Sequence, residues 1–352
     1  MQACIDDSAL RQKPVLINGN IYITKTIDVP SHVRLFGFTS EETFPRIYCD
    51  KDIGTAFSCK GVCNTFENFC ITTNDLKYHE LTAIEFLGNA NKDIDSIVRS
   101  MTFVYTGIGV RICGKNVKII DSTFSHNKYG VKYDLVEGAT QYRGLQIEAC
   151  NFHGIGEEAD LDWFENSAAI WIKENYWSNL QVRNCTCVQG GTFFEGYATN
   201  VIIEGCYVES YKETTIKWGA EGLSRPYNSS TVLINGNSFN GKRGQVSINP
   251  DVTVDYPDYI IDVTGSGRLF ITNNVMRFSN KEAIKMDGTS FAGIISNAFT
   301  AQGMSGDNIT AIYCPSCDNI SVDSNCTFTA GETLVSDGSA GLSYGTNFGF
   351  TT

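Results

Sequence analysis

Paired carboxylates are the side chains of this sequence with the plainest chemical use. The stretch HGIGEEADLDWFENSAA at 153–169 sets Glu157, Glu158, Asp160, Asp162 and Glu165 around Trp163 and Phe164, and further on Glu195 and Glu213 stand close to Lys217. Two carboxyl groups roughly 5 to 9.5 Å apart can split a glycosidic bond: one protonates the leaving oxygen while the other activates water or attacks the sugar. In the loop, Asp160 and Asp162 are the first choices, because alternate residues of an extended segment face one side. A neighbouring ring such as Trp163 would favour the protonated form of an acid by desolvation. The same residues also fit an acidic or calcium-binding turn, and Glu195 with Glu213 also fits two solvated glutamates beside a lysine.

Aromatic rings point to the ligand class. All four tryptophans, Trp163, Trp171, Trp177 and Trp218, fall between residues 117 and 231. Sugar rings stack their C–H faces on such side chains, although a core role is open for each. The expected binding residues are Trp171, Lys217, Lys132, Arg111, Trp163 and Tyr197. Arg225, Tyr227, Asp251 and Tyr256 are candidates in later insertions.

These residues must be held by a repeat. VKIIDSTF at 117, LQIEACNF at 145, LQVRNCTC at 180 and VIIEGCYV at 201 share one pattern, preceded by SIVRSMTF at 96 and followed by VLINGNSF at 232, LFITNNVM at 269, AGIISNAF at 292 and ISVDSNCT at 320. The sixth position is Met101, Ser122, Cys150, Cys185, Cys206, Asn237, Asn274, Asn297 and Asn325, recurring every 21 to 37 residues. Such a column is the mark of stacked coils, with asparagines forming a ladder and Cys and Ser filling the same niche.

A second column, usually nine or ten residues on, reads small, apolar, variable, apolar: AFSC at 56, AIEF at 83, GVRI at 109, GVKY at 130, AIWI at 169, TIKW at 215, QVSI at 245, AIKM at 283, AIYC at 311 and TLVS at 333. Each coil therefore holds at least two strands. Strand parity turns the variable residue outward, giving the row Ser58, Glu85, Arg111, Lys132, Trp171, Lys217, Ser247, Lys285 and Tyr313. Counting from Cys185 adds Glu195 between Trp171 and Lys217, and parity also turns Glu213, Thr215 and Tyr197 outward. Glu148, Arg183 and Glu204 share a register on the first column's outer face and read as an ion ladder.

Composition narrows the partners. A net charge of −12 over 352 residues argues against nucleic acid, whose binders need a basic surface. No apolar run reaches the length of a membrane span, so membrane insertion is not expected. Thirteen cysteines, an odd number with three in the packing column, point to a reducing cytosol of synthesis, and Cys314 with Cys317 reads as core and turn packing. Neither metal nor cofactor is expected.

The coil V-x-I-x-[DNG]-[CSN]-x-F, with the opening MQACIDDSAL and VLINGNIYITKTIDVPSHVRLFGF, resembles the right-handed parallel β-helix of the pectate-lyase superfamily, and within it bacteriophage tailspikes and capsule depolymerases. The resemblance implies an all-β solenoid: a capping helix at 1–14, a β-helix domain at 15–342 and an exit segment at 343–352. Ala3, Cys4, Ile5 and Leu10 would face the first coil. The abrupt opening is read as a sign of segments upstream. Polygalacturonase-type NTD, DD, GHG and RIK motifs are not found in that family's arrangement. The expected function is therefore a virion-borne, trimeric depolymerase acting on a bacterial capsule, exopolysaccharide or O-antigen, by glycoside hydrolysis. A lyase acting on a uronate glycan, with Lys132, Arg111 and Lys217 neutralising the carboxylate, and a non-catalytic binding spike are the alternatives.

Overall fold

The structure is a computed structural model and describes residues 1–38, 44–75, 79–88, 93–134, 144–156, 167–172, 179–211, 213–219, 227–241, 256–300, 310–328, 333–336 and 341–350. Its chain divides into two compact units, Met1–Gln181 and Val182–Thr352. Both are wound as a right-handed parallel β-helix, in which the chain visits a first, a second and a third sheet in turn before starting the next coil. A coil thus has three strands where the sequence pattern required at least two. The eight-residue motif is itself two of them, such as Lys115–Ile120 in the first sheet and Thr123–Ser125 in the second.

A backbone state makes the corner between those two strands. The motif's fifth residue is left-handed in both units: Ser100, Asp121 and Ala149 in the first have φ of 50, 50 and 52°, and Asn184, Gly205, Gly236, Asn273, Ser296 and Ser324 in the second lie between 53 and 65°. Asn, Asp and Gly tolerate that region best, which accounts for their frequency at this position. The sixth residue then points inward. In the second unit the backbone N–H of Cys206, Asn237, Asn274 and Asn297 donates to the side-chain oxygen of Asn237, Asn274, Asn297 and Asn325 respectively, at 2.8 to 3.0 Å. Asn325 continues the series to Asn347 at 3.0 Å, a rung absent from the sequence pattern. Each asparagine satisfies buried backbone groups that the bend would otherwise leave unpaired.

The core between the sheets is apolar and aromatic. In the first unit the motif's eighth position stacks Phe103 on Phe124 and Phe124 on Phe152, both at 4.9 Å between ring centres. These rings press against the entry to the third sheet. A Cβ on Gly109 would meet the Phe124 ring at 2.6 Å, and one on Gly130 the Phe152 ring at 2.7 Å. The small first residue of the second column is thus a steric requirement. In the second unit the entry is a bulge: Phe193 and Phe194 both donate to the Thr215 carbonyl, at 3.0 and 3.1 Å, so two consecutive residues face the core.

The N-terminal helix Gln2–Arg11 buries Ile5 and Ser8. Ala3, Cys4 and Leu10, expected to face the first coil, are exposed, Leu10 by 85%. Ile5 alone of the four is on the buried face, and the helix is fastened by the Gln2 amide, which pairs with the Asp28 backbone at 2.8 and 3.0 Å. All thirteen cysteines are free thiols.

Candidate functional site

The outer face of the third sheet gathers ionisable and aromatic side chains in a fixed register in each unit. In the first unit Asp28, Ser58, Glu85, Arg111, Lys132 and Trp171 are successive backbone partners. The Arg111 guanidinium is clamped from two sides, by Asp134 at 2.7 Å and Glu85 at 2.9 Å. Burial alone would lower the Arg111 pKa, but its hydrogen bond to Asp134 and the charges of Asp134 and Glu85 outweigh it, so the pKa is raised. Lys132 lies 4.0 Å from Asp134, and its ammonium sits 5.0 Å from the Tyr129 ring centre and 4.9 Å from that of Trp171. Tyr129 and Trp171 are themselves 5.8 Å apart and half-buried, leaving ring surface for a ligand.

In the second unit the row is Glu195, Lys217, Asp262, Lys285 and Tyr313. Lys217 pairs with Glu195 at 3.5 Å, and Lys285 with Asp262 at 3.1 Å. Tyr259 flanks the row, 5.2 Å from the Lys285 ammonium and 5.3 Å from that of Lys281, which pairs with Asp258 at 2.7 Å. Burial raises the Tyr259 pKa, the two lysines pulling the other way, so its hydroxyl is a proton-bearing group at neutral pH.

The register Lys217 to Asp262 corrects the sequence reading. QVSI at 245–248 lies outside the described residues, and Asp262, in the strand Ile261–Thr264, occupies the place given to Ser247. Tyr197 also departs from expectation: it is buried, 4.9 Å from the Trp218 ring, because Gly196 at φ 139° ends the alternation. Thr215 is likewise buried, next to buried Ile216 at the entry to the third sheet.

Trp218 belongs to the core, donating its indole N–H to Ala198 at 3.2 Å. Glu213 is exposed, but its N–H bonds to Gly191, whereas Glu195 lies opposite Lys217. Glu213 lies in the bend before the strand Ile216–Trp218, four residues ahead of Lys217 and so in a different register from Glu195.

Asp160, Asp162, Trp163, Trp177, Arg225 and Asp251 lie outside the described residues. Tyr227 is in the strand Tyr227–Asn235, and Tyr256 packs 6.1 Å from Phe278. Of the expected ion ladder, Arg183 pairs with Glu204 at 3.3 Å, and Asn235 continues it by donating to Glu204 at 3.0 Å. Among the described residues, no group of three or more His, Cys, Asp and Glu side chains forms a metal-binding cluster. No helix among the described residues is long and apolar enough to cross a membrane.

Sequence reasoning missed Tyr129, Asp134, Tyr259 and Asp262. Asp134 carried a signal, since it lies two residues beyond Lys132 on the same strand face.

No family model and no curated protein matches the sequence. Solved structures do match the fold. The catalytic unit of a thermostable GH87 α-1,3-glucanase from Streptomyces thermodiastaticus strain HF3-3 is similar with a TM-score of 0.66 and 12% identity, over all of this chain and 65% of that one. The chain thus spans just under two thirds of that glucanase unit. A DFA-IIIase from Arthrobacter chlorophenolicus A6 without its lid gives 0.62 and 15%, over 97% of this chain and 88% of that one. The Dettilon tailspike protein gives 0.52 and 13%, over all of this chain and 64% of that one. The chain therefore shares its right-handed parallel β-helix fold with these proteins.

Proposed function

We propose that the chain is a tailspike-type depolymerase that binds a bacterial surface polysaccharide, capsule, exopolysaccharide or O-antigen, and hydrolyses its glycosidic bonds. It would act as a homotrimer on a phage tail. The carrying observation is the placement of Glu195 and Asp262 on either side of Lys217 in three successive rungs. Two rungs amount to roughly 9 to 10 Å between backbones, and the side chains can close to the roughly 6.5 to 9.5 Å that an inverting hydrolase uses. One carboxylate would take a proton from water as it attacks the anomeric carbon. The other, protonated, would deliver one to the departing oxygen.

Glu85 and Asp134 are less suited, since they share one guanidinium at 2.9 and 2.7 Å and are 11% exposed, against 20% for Glu195 and 17% for Asp262. Trp171 and Tyr129 supply stacking surface in the first unit, with Lys132 and Arg111 beside them. Support for carbohydrate as ligand also comes from the fold's neighbours, a glucanase and a tailspike among them.

The test incubates the protein with purified capsule and O-antigen preparations and follows new reducing ends. Glu195→Gln and Asp262→Asn should each slow cleavage by roughly 10² to 10⁴ without loss of glycan binding. Asp160→Asn and Asp162→Asn, assayed alongside, ask whether the acidic loop supplies the proton donor instead. Absorbance from an unsaturated sugar would replace hydrolysis with elimination, and binding without products would make the chain an adhesin.

A further inference from the structure

Resting on the reading of the third-sheet rows as a glycan-binding surface, we infer that the bound glycan is electrically neutral: a hydroxyl-rich chain whose contacting sugars carry no carboxylate, sulfate or phosphate. The row cations are already matched by built-in carboxylates. In the first unit Arg111 and Lys132 face Glu85 and Asp134, and in the second Lys217 and Lys285 face Glu195 and Asp262. Lys281 beside the second row is likewise paired, with Asp258.

In the row pairs the carboxylate is the deeper partner. Glu85 and Asp134 are 11% exposed against 38% for Arg111, Glu195 20% against 49% for Lys217, and Asp262 17% against 29% for Lys285. These acids are part of the wall and stay when a ligand arrives.

An anionic sugar on such a row gains little. An anion drawn to a row cation is repelled by the carboxylate paired with that cation, which offsets much of the attraction even though the acid lies deeper. The sugar would still lose hydration, and the chain's −12 adds repulsion at longer range. Neutral sugars fit the same groups well. Their hydroxyls donate to the carboxylates and accept from ammonium and guanidinium N–H, and their C–H faces stack on Tyr129 and Trp171. Recognition is then by hydrogen bonding and stacking, without an excess of positive charge.

The experiment measures retention of the intact protein in gels containing either neutral bacterial exopolysaccharides or uronate-containing capsular polysaccharides, at about 50 and about 500 mM NaCl. Retention by neutral polymers, with a Kd that changes less than about twofold with salt, is expected. Preference for the uronate polymers, a salt effect of about tenfold or more, or no retention by any neutral polymer overturns the inference.

Glu85→Gln combined with Asp134→Asn releases the Arg111 charge and should create salt-sensitive retention by uronate polymers, about tenfold above the parent. A folded double variant without that gain also overturns it. Reducing-end assays on the same samples separate the two readings. A neutral polymer retained but uncut removes the hydrolase and leaves this inference standing, whereas a uronate polymer preferentially cut does the reverse.

Discussion

Replacing Asn274 by Ala tests the asparagine ladder at a fully described rung. The Asn274 side-chain oxygen accepts from the Asn237 backbone N–H and from the Asn237 amide, both at 3.0 Å, and its own amide donates to the Ile234 carbonyl and the Asn297 side-chain oxygen, both at 3.0 Å. The Asn297 oxygen keeps a donor in the Asn274 backbone N–H, also at 3.0 Å. Alanine therefore takes the partner from the Asn237 backbone N–H and a donor from the Ile234 carbonyl, and leaves the Asn237 amide only its bond to the Ile203 carbonyl at 3.0 Å, in surroundings only 0 to 2% exposed.

At about 1 to 3 kcal/mol for each of the two groups left without this partner, reduced by some relaxation, the second unit should lose roughly 2 to 5 kcal/mol. Asn274→Cys should lose less. The Cys206 thiol already donates to the Val182 carbonyl at 3.9 Å in the equivalent niche, so sulfur retains a weak version of the contact. Urea unfolding followed by far-ultraviolet circular dichroism gives the loss as a midpoint shift multiplied by the slope. A loss for Asn274→Ala below about 1 kcal/mol would refute the claim that the ladder holds the corner.

Gly130→Ala should destabilise the first unit by about 1 to 3 kcal/mol, read as a lower Tm, because its methyl meets the Phe152 ring at 2.7 Å and the Ala169 carbonyl at 2.8 Å. Trp171→Ala should weaken glycan binding by up to about tenfold in a titration, the worth of one stacking contact. Burial pushes the Cys49 thiol up to about 12 and the Cys70 thiol up to about 11, from 9.0. A folded pKa above the unfolded one means stability that is complete below pH 9 and declines as pH climbs towards 11 and 12. Unfolding midpoints should therefore fall over that window and stay flat from 7 to 9. At pH 8, iodoacetamide followed by peptide mass spectrometry should modify exposed Cys4 first, half-buried Cys63 and Cys326 slowly, and the buried thiols only after unfolding.

Much of the winding was legible because a single conformational demand recurs. A left-handed corner followed by a small hydrogen-bonding side chain leaves the same two letters in coil after coil, as Asp121 with Ser122 and Gly236 with Asn237 show. Parity did the same for Arg111, Lys132, Glu195 and Lys217, which sit on straight strand segments. It failed where strands stop being straight. Tyr197 follows Gly196, whose φ reverses the alternation, and Thr215 enters the third sheet beside Ile216 with both residues buried. Asp262 was hidden by length: the chain between Asn240 and Ile261 holds QVSI, which imitates the second column, and nothing local tells the two apart. Tyr259 meets Lys281 and Lys285 across rungs, a proximity without any motif.

From Thr65 onward the strands of the first and second sheets are always separated by two residues, whereas the other two corners span anything from one residue to more than a dozen. The tight corner is the ruler of the fold, and the loose corners are free text. Segments grafted at the loose corners leave the in-register acids and rings untouched. One scaffold can thereby be given a new outer surface by exchanging a passage of sequence, while the stacked bends that set each turn's height stay as they are.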